Sequence, residues 1–269
     1  MKNILIAGGN SGIGLEAARQ LTTLGHRVVL LGRDGNKGQA ALVELQDNPG
    51  TAEFLAADLS IHAGVRAAAA ELLAAHNQFD VLLHCSGVLT FDEKRTTDGL
   101  HPFFAVNFLS RYHLTQLLLP LLRKSTSPRV IMLSSGLPLD TQIDFALFPW
   151  FSPFEFGRMT AQIQFGNFHF AAHLHDAEPP VLSAVVSAGL ADTGIWRVIP
   201  PAVRASMLEK RQMNTISESA RIPVALCVNE TWESGTYWGT PGHLESTPLH
   251  LDERTTRRLI SVCHQPTGV

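Results

Sequence analysis

Short runs of aliphatic and β-branched residues alternate along the chain with longer segments whose apolar residues recur at helical spacing. Seven runs predict β-strands: Asn3–Ala7, Arg27–Leu31, Ala52–Ala56, Phe79–Leu83, Arg129–Leu133, Val181–Val186 and Gly235–Trp238. Six segments between them predict helices: Gly14–Leu24, Lys37–Leu45, Ala63–Ala75, Leu100–Leu122, Arg158–Leu174 and Ser217–Val228. Several strands are apolar throughout, which is typical of strands covered on both faces. The alternation therefore predicts an α/β fold: a doubly wound parallel sheet with helices on both faces, in a single domain spanning 1–269.

Two segments interrupt this alternation, near 136–157 and 188–215. They follow the fifth and sixth predicted strands and are rich in large apolar residues: Phe145, Phe148, Trp150, Phe151, Phe154 and Phe156 in the first, Trp196, Pro200, Pro201, Met207 and Met213 in the second. Open α/β sheets bind ligands at the carboxyl ends of their strands. Long apolar loops at that edge predict covers over a hydrophobic small-molecule substrate, which we expect to be aromatic or polyketide-like.

Composition excludes several classes of function. Of the 269 residues, 45% are hydrophobic and 17% charged, and 21 Lys and Arg against 24 Asp and Glu give a net charge of −3. Without a basic surplus, nucleic-acid binding is not expected. The most apolar helical stretch, Leu114–Leu122, contains Gln116 and Pro120 and is too short for a membrane span. The start of the chain lacks a signal-peptide pattern and the three cysteines form no disulfide framework, so we expect a cytoplasmic protein.

A glycine-rich turn follows the first predicted strand and leads directly into the first helix. Its sequence is Ala7-Gly8-Gly9-Asn10-Ser11-Gly12-Ile13-Gly14. Glycines permit a tight turn and let a pyrophosphate approach the backbone, while the helix N-terminus offers N–H groups and a partial positive charge. Between a strand and a helix of a long α/β alternation, this turn predicts a Rossmann-type dinucleotide site. Its expected contacts are Gly8, Asn10, Ser11, Gly12, Ile13 and Gly14.

The glycine spacing is GxxxGxG, and further motifs follow it. Ala57-Asp58-Leu59-Ser60, His84-Cys85-Ser86-Gly87 and Ala188-Gly189 with Thr193 come after later strands, and Phe104-Ala105-Val106-Asn107-Phe108-Leu109 lies in the long central helix. Together these motifs resemble the short-chain dehydrogenase/reductase family, most closely its retinol-dehydrogenase-like branch. The resemblance implies further cofactor contacts at Asp58, Leu59, Cys85, Ser86, Gly87, Gln164 and Thr193. For Asp58, a simple turn role is an equal alternative.

Arg33, at the end of the second strand, bears on which nucleotide is bound. A guanidinium pairs with an adenosine 2′-phosphate, whereas a carboxylate there would bind the 2′-hydroxyl. Position 32 is glycine and the first carboxylate is Asp34. The sequence therefore predicts NADP(H) rather than NAD(H), with an ordinary surface arginine as the alternative.

The resemblance implies a catalytic set of Ser, Asn, Tyr and Lys. In that set the lysine lowers the tyrosine pKa so that the phenol exchanges a proton with a carbonyl oxygen. Ser135 and Asn107 match the pattern. Thr160 stands where the tyrosine belongs and Gln164 where the lysine belongs. We therefore expect Ser135, Asn107, Thr160 and Gln164 to mark the catalytic position, without the usual acid. Ser135 and Asn107 could instead only bond the main chain.

Four other residues could in principle replace the missing pair. Tyr112 and Tyr237 are the only tyrosines, and neither falls at the motif. His84 could titrate near neutrality, although a satisfied buried histidine is the preferred interpretation. Cys85 could serve as a proton donor, but a small buried thiol is the commoner case.

His169 and His173 have the spacing of a helical metal pair. No third ligand is evident, so we predict no metal site.

Three functions remain open at this point. The first is an NADP(H)-dependent reductase that works without the Tyr–Lys acid. The second is a non-redox cyclase, isomerase or dehydratase, and the third is an NADP(H)-sensing binding protein without turnover. A homodimer formed through Leu100–Leu122 and Arg158–Leu174 is a further possibility.

Overall fold

The fold is described from a computed structural model, for residues 1–134, 142–148, 155–199, 201, 204, 213–239 and 245–269. The strands are β1 (Asn3–Ala7), β2 (Arg27–Gly32), β3 (Thr51–Ala56), β4 (Val81–His84), β5 (Arg129–Ser134), β6 (Leu182–Ser187), β7 (Thr236–Trp238) and β8 (Thr247–Pro248). They form one sheet in the order β3-β2-β1-β4-β5-β6-β7-β8. β1 to β7 pair in parallel, as predicted, and the short β8 adds an antiparallel edge strand.

Helices cover both faces of this sheet, which confirms the predicted doubly wound α/β fold. They are α1 (Gly12–Thr23), α2 (Gly35–Leu45), α3 (His62–Ala75), α4 (Pro102–Phe104), α5 (Ser110–Leu122), α6 (Phe156–Ala177), α7 (Ile216–Val228) and α8 (Glu253–Thr267). One buried cluster joins α1, α2 and α7 to one face, and a second joins α3, α5, α6 and α8 to the other. Because alternate strand residues enter opposite clusters, the continuous apolar runs follow directly from burial on both faces.

The reversal of strand order falls between β1 and β4. β2 and β3 lie to one side of β1, whereas β4 to β7 lie to the other. Connections leave in opposite directions at this point, so a crevice opens outside the carboxyl ends of β1 and β4. The glycine turn follows β1 and therefore lies at this crevice.

Several predicted boundaries were wrong. The fourth strand begins at Val81 rather than Phe79, whose side chain packs into the core instead. The predicted helix Leu100–Leu122 is interrupted by a π-helical turn, Ala105–Leu109. Leu100 precedes the helix, because Pro102 occupies the first helical position.

The sequence analysis also missed α8 and β8. Most residues of α8 are polar, and only Thr256, Leu259, Cys263 and Thr267 are buried, so its apolar stripe is too narrow to recognise by periodicity. Its N-terminus is nevertheless capped by Asp252, which accepts from the Thr255 N–H at 2.7 Å. β8 has two residues and carries no periodic signal.

Candidate nucleotide and active site

The glycine turn packs against the segment that follows β4. Gly8 has φ +83°, and a Cβ at this position would lie 2.5 Å from the Ser86 amide nitrogen. A Cβ on Gly14 would lie 2.2 Å from the Gly8 carbonyl oxygen and 3.1 Å from the Cys85 Cβ. Backbone contact at these distances excludes any side chain, so both glycines are required by packing. The predicted contacts Cys85 and Ser86 thus lie directly beside the glycine turn.

The N-terminus of α1 presents free backbone donors at the same place. The first backbone hydrogen bond of α1 runs from the Leu15 N–H to the Ser11 carbonyl, at 3.2 Å. Among the described residues, the N–H groups of Gly12, Ile13 and Gly14 have no hydrogen-bond partner outside the helix ladder. Ser11 is exposed and its hydroxyl caps nothing. Three N–H groups and a hydroxyl at a helix N-terminus are the kind of donors that bind an anion.

Thr193 reaches this turn from the segment after β6. Gly12 has φ +55°, and a Cβ there would lie 3.4 Å from the Thr193 Cγ2. Thr193 is also the residue that precedes a 3₁₀ helix, Gly194–Val198. The two sequence motifs, 180 residues apart, therefore meet across one crevice.

Arg33 lies exposed at the end of β2, close to the glycine turn. It forms no hydrogen bond or ion pair with any described residue, whereas Asp34 caps α2 by accepting from the Lys37 N–H at 3.1 Å. Asn10 connects the two turns, because its amide donates to the Asp34 carbonyl at 3.1 Å. A Cβ on Gly32 would collide with that amide at 2.4 Å. A side chain at position 32 would therefore have to displace the Asn10 amide, and Arg33 is the exposed charge beside it.

Asp58 and Leu59 follow β3 and serve a local turn. The Asp58 Oδ1 accepts from the Ser60 N–H at 2.9 Å and from its hydroxyl at 2.7 Å. Leu59 is buried in the core beside α3 and α5. These contacts fit the turn role of Asp58, whose second carboxylate oxygen is not used by the turn.

The residues at the end of β4 are neutral at physiological pH. The His84 Nε2 lies 2.9 Å from the Thr115 hydroxyl, and burial holds the His84 pKa well below its usual value. Burial also raises the Cys85 pKa to about 12, so this residue is a thiol. Gly87 follows them, with space above its Cα. Near neutral pH, His84 is therefore an uncharged imidazole and Cys85 a thiol that does not ionise. Neither residue is suited to donate a proton.

Asn107 lies in the π-helical turn and uses its side chain to hold the chain after β4. Its Oδ1 accepts from the Val88 N–H at 2.8 Å, and its Nδ2 donates to the Val88 carbonyl at 3.0 Å. The Asn107 carbonyl accepts from the Asn167 amide at 3.2 Å. Such π turns occur often at functional sites. Here the oxygen and the nitrogen of the amide each bond the main chain of Val88.

Thr160 and Gln164 lie one turn apart on α6. The Thr160 hydroxyl donates to the Phe156 carbonyl of its own helix at 2.7 Å. Gln164 is fully buried, and its Oε1 accepts a short hydrogen bond from the Ser134 hydroxyl at the end of β5. The Gln164 Nε2 is buried without a partner. Ser135 lies outside the described residues.

Both tyrosines form contacts of their own away from Thr160 and Gln164. The Tyr112 hydroxyl donates to the Val269 carbonyl oxygen at 2.6 Å, and burial raises the Tyr112 pKa to about 12. Tyr237 is buried against Phe168, with its hydroxyl at Ser187, and burial raises its pKa as well. Neither phenol is poised to donate a proton near neutral pH.

The two histidines at helical spacing lie on α6, where both are desolvated and His169 contacts α8. The His169 Nδ1 lies 2.7 Å from the Thr256 hydroxyl on α8, and burial lowers its pKa to about 4. His173 is also partly desolvated, with a lowered pKa. The described residues contain no cluster of three or more His, Cys, Asp or Glu side chains suited to a metal.

The described part of the first apolar segment is packed into the core. Leu147 and Phe148 are buried, and Phe148 meets the rings of Phe104 and Phe108 edge-on. Trp150, Phe151 and Phe154, expected to cover the substrate, lie outside the described residues, as do Pro200 and Met207. Phe148 therefore anchors this segment to the π-helical turn.

Two buried residues at the site were not singled out from the sequence. Ser134 directly precedes the predicted Ser135, and its hydroxyl donates to Gln164. The second is Arg111, which is 4% exposed and donates to the carbonyls of Leu133 at 2.6 Å and Ser86 at 3.0 Å. The available signal was an arginine one turn after Asn107, among the apolar residues Leu109, Tyr112 and Leu114.

Comparison with known proteins agrees with this arrangement. A family model described as short chain dehydrogenase matches residues 2–148. The chain belongs to the short-chain dehydrogenase family. The matched half contains the glycine turn, Arg33 and Asn107, whereas Thr160 and Gln164 lie beyond it.

Related proteins place the chain near retinol dehydrogenases, as predicted. Mouse retinol dehydrogenase 12 is 38% identical over 146 residues, which cover 54% of this chain and 46% of that protein. Zebrafish polyprenol dehydrogenase is 27% identical over 96% of this chain and 84% of its own length. A short-chain dehydrogenase/reductase of Armillaria gallica is 31% identical over 74% of this chain and 68% of its own. The chain thus aligns with about half the length of retinol dehydrogenase 12.

Solved structures share the fold. The 7α-hydroxysteroid dehydrogenase complex with NADH and 7-oxo glycochenodeoxycholic acid superposes with a TM-score of 0.71 at 20% identity, covering 93% of this chain and 96% of that one. A Shigella flexneri short chain dehydrogenase complexed with NADP gives 0.68 at 20% identity, covering 88% and 95%. Within the described residues, no helix combines the length and apolar character needed to cross a membrane.

Proposed function

We propose that this protein is an NADP(H)-dependent reductase of a hydrophobic small molecule that works without a Tyr–Lys acid. The observation that carries the proposal is a set of hydrogen-bond donors without partners among the described residues. They are the N–H groups at the start of α1, the Arg33 guanidinium and the buried Gln164 Nε2. A buried donor without a partner costs about 1–3 kcal/mol, so a ligand that supplies an acceptor is favoured.

The chain's own residues fit a dinucleotide along this crevice. The glycine turn and the α1 N-terminus would bind the pyrophosphate, and Arg33 would pair with a 2′-phosphate. On the far side of the turn, the Gln164 Nε2 would donate to a ribose hydroxyl. The bound cofactor supplies hydride to the substrate. Related short-chain dehydrogenases use NADP or NADH, and Arg33 favours the first of these.

The residues at the catalytic position limit the reaction. The Thr160 hydroxyl is a far weaker acid than a phenol, and its proton is donated to the Phe156 carbonyl. Loss of a general acid typically removes about 10²–10⁴ in rate. We therefore infer a substrate whose reduction needs little acid assistance, such as a conjugated C=C bond or an iminium. A carbonyl substrate would take its proton from Ser135, from water or from the substrate itself.

The substrate is inferred to be hydrophobic. Relatives named for retinol and polyprenol act on apolar alcohols, and both apolar segments of this chain follow strands at the ligand edge of the sheet. An aromatic or polyketide-like molecule fits the sequence of these segments. The cytoplasmic location and the homodimer remain predictions beside this proposal.

The cofactor proposal is tested by calorimetric titration with NADPH and NADH. We expect the wild-type protein to bind NADPH more tightly, and Arg33→Asp to weaken NADPH binding by on the order of tenfold or more, since a charge-assisted bond is replaced by repulsion. Arg27→Asp is the matched control, because Arg27 is exposed at the opposite end of β2. Equal binding of both nucleotides, or equal effects of the two substitutions, would contradict the assignment.

A second candidate is a non-redox cyclase, isomerase or dehydratase, favoured by Thr160 and Gln164 at the catalytic position. Such an enzyme would position its substrate with hydrogen bonds and leave the cofactor unchanged. Stoichiometric loss of the reduced-nicotinamide absorbance during turnover distinguishes the reductase from this alternative. Binding of NADPH without turnover of any substrate tested would favour a sensing protein.

A further inference from the structure

Arg111 is a buried cation beneath the proposed cofactor site. It lies on α5, four residues after Asn107. Its Nη1 donates to the Leu133 carbonyl at 2.6 Å and approaches the Asn167 Oδ1 at 3.5 Å, while its Nη2 donates to the Ser86 carbonyl at 3.0 Å. The guanidinium therefore joins the ends of β4 and β5 to α6. Its Nε is buried without a partner.

The charge of Arg111 is not neutralised by the part of the chain that is described. Its contacts are carbonyl and amide oxygens, and no described carboxylate forms an ion pair with it. Arg123 and Arg158, by contrast, pair with Glu178 and Asp144. Burial lowers the Arg111 pKa to about 10, so the group is still protonated at pH 7. An uncompensated buried cation is costly, and Arg129 shows that such a cation also occurs elsewhere in this fold, so the position of Arg111 decides its role.

The position of Arg111 relates this charge to one end of a dinucleotide. Ser86, whose carbonyl Arg111 holds, packs directly on Gly8 of the glycine turn. Arg33 lies on the other side of that turn, at the end of β2. A dinucleotide whose adenosine lies at Arg33 must extend over β4 and β5, which places its nicotinamide on the Arg111 side.

We propose that Arg111 makes the site selective for the reduced cofactor. This inference rests on the proposed function. The oxidised nicotinamide ring carries a positive charge that the reduced ring lacks, whereas the rest of the molecule is the same. A fixed cation below the site therefore disfavours NADP⁺ relative to NADPH. Arg111 also supplies, from α5, a positive charge that Gln164 does not provide on α6.

The test measures dissociation constants for NADPH and NADP⁺ by calorimetry, without any substrate. We expect the wild-type protein to prefer NADPH, and Arg111→Gln to reduce this preference by on the order of tenfold, since a buried unit charge on the nicotinamide side is removed. Arg111→Lys keeps the charge and retains most of the preference. A purely structural role would weaken both ligands alike in both variants.

Arg129→Gln is the matched control. Arg129 is also buried, donates to the Leu226 carbonyl at 2.6 Å and has an unpartnered Nε, but it lies at the amino end of β5. We expect this control to leave the NADPH-to-NADP⁺ ratio unchanged. Equal wild-type affinities for NADPH and NADP⁺, or a ratio unaltered in a folded Arg111→Gln, overturn the inference alone. Failure of both nucleotides to bind overturns the proposed function as well.

Discussion

The hydroxyl of Ser134, the last residue of β5, donates to the Oε1 of Gln164 on α6. This bond fixes the amide plane of Gln164 and turns its Nε2 away from Ser134, where it has no partner. A single hydroxyl thus determines which atom of the buried Gln164 amide is left without a partner. Ser134 is a positioning residue in this arrangement, because it acts through Gln164.

Replacing Ser134 with alanine is expected to weaken NADPH binding without unfolding the protein. The freed amide can rotate, and loss of one hydrogen bond of about 1 kcal/mol corresponds to a roughly fivefold higher dissociation constant. Ser110→Ala is the control, since its buried hydroxyl donates to the Val106 carbonyl at 2.9 Å within its own helix. An unchanged NADPH affinity in Ser134→Ala would show that Gln164 does not depend on this bond.

Gly8→Ala is expected to destabilise the fold by about 3 kcal/mol or more, because positive φ and overpacking against backbone act together. The added methyl group would lie 2.5 Å from the Ser86 nitrogen. Gly25→Ala isolates the first of these effects, since Gly25 has φ +82° with open space around it. We expect this control to cost about 1 kcal/mol in urea unfolding. Equal losses in the two variants would contradict the proposed packing of the glycine turn.

Buried histidines make the protein sensitive to mild acid. Burial lowers the pKa of both His113 and His169 to about 4. The unfolded chain, with a histidine pKa near 6.5, then binds more protons than the folded chain below that pH. The contribution of each histidine to the free energy of unfolding is therefore complete above about pH 6.5. It decreases as the pH falls, by about 2 kcal/mol per histidine between pH 7 and 5.

Denaturant unfolding across this pH range tests the contribution of His169. We expect His169→Gln to reduce the loss of stability between pH 7 and 5, while its amide can still bond Thr256. His264→Gln is the control, since His264 is exposed on α8. An identical pH dependence in wild type and His169→Gln would exclude this group as a cause.

The sequence predicted those parts of the site that are built from consecutive residues. The glycine turn could be predicted because the turn as a whole connects a strand to a helix. At Gly8 and Gly14 the close backbone contacts admit no residue other than glycine. Arg111 and Ser134 were not identified, because their roles depend on which strand end lies beneath α5 and α6. Asp34, the first carboxylate after β2, caps α2, a role that the sequence analysis did not assign to it. Local pattern does not show these tertiary contacts.

Gln164→Lys is expected to destabilise the protein, because it adds a second buried cation close to Arg111. The two positions are connected through β5, where Arg111 holds the Leu133 carbonyl and Gln164 bonds the adjacent Ser134. In an Arg111→Met background the same substitution should cost less, with a coupling free energy of about 1 kcal/mol or more in urea unfolding.

The matched control for this cycle is Gln162→Lys. Gln162 is also buried on α6, but its amide faces the neighbouring segment, accepting from the Asp144 N–H at 2.7 Å and donating to the Gln142 carbonyl at 3.0 Å. We expect its cost to be additive with Arg111→Met, since it points away from β5. Coupling to Gln164 but not to Gln162 would identify repulsion between positions 111 and 164 as the barrier to a lysine in this site. Additivity at both positions would mean that the Arg111 charge is not felt at Gln164.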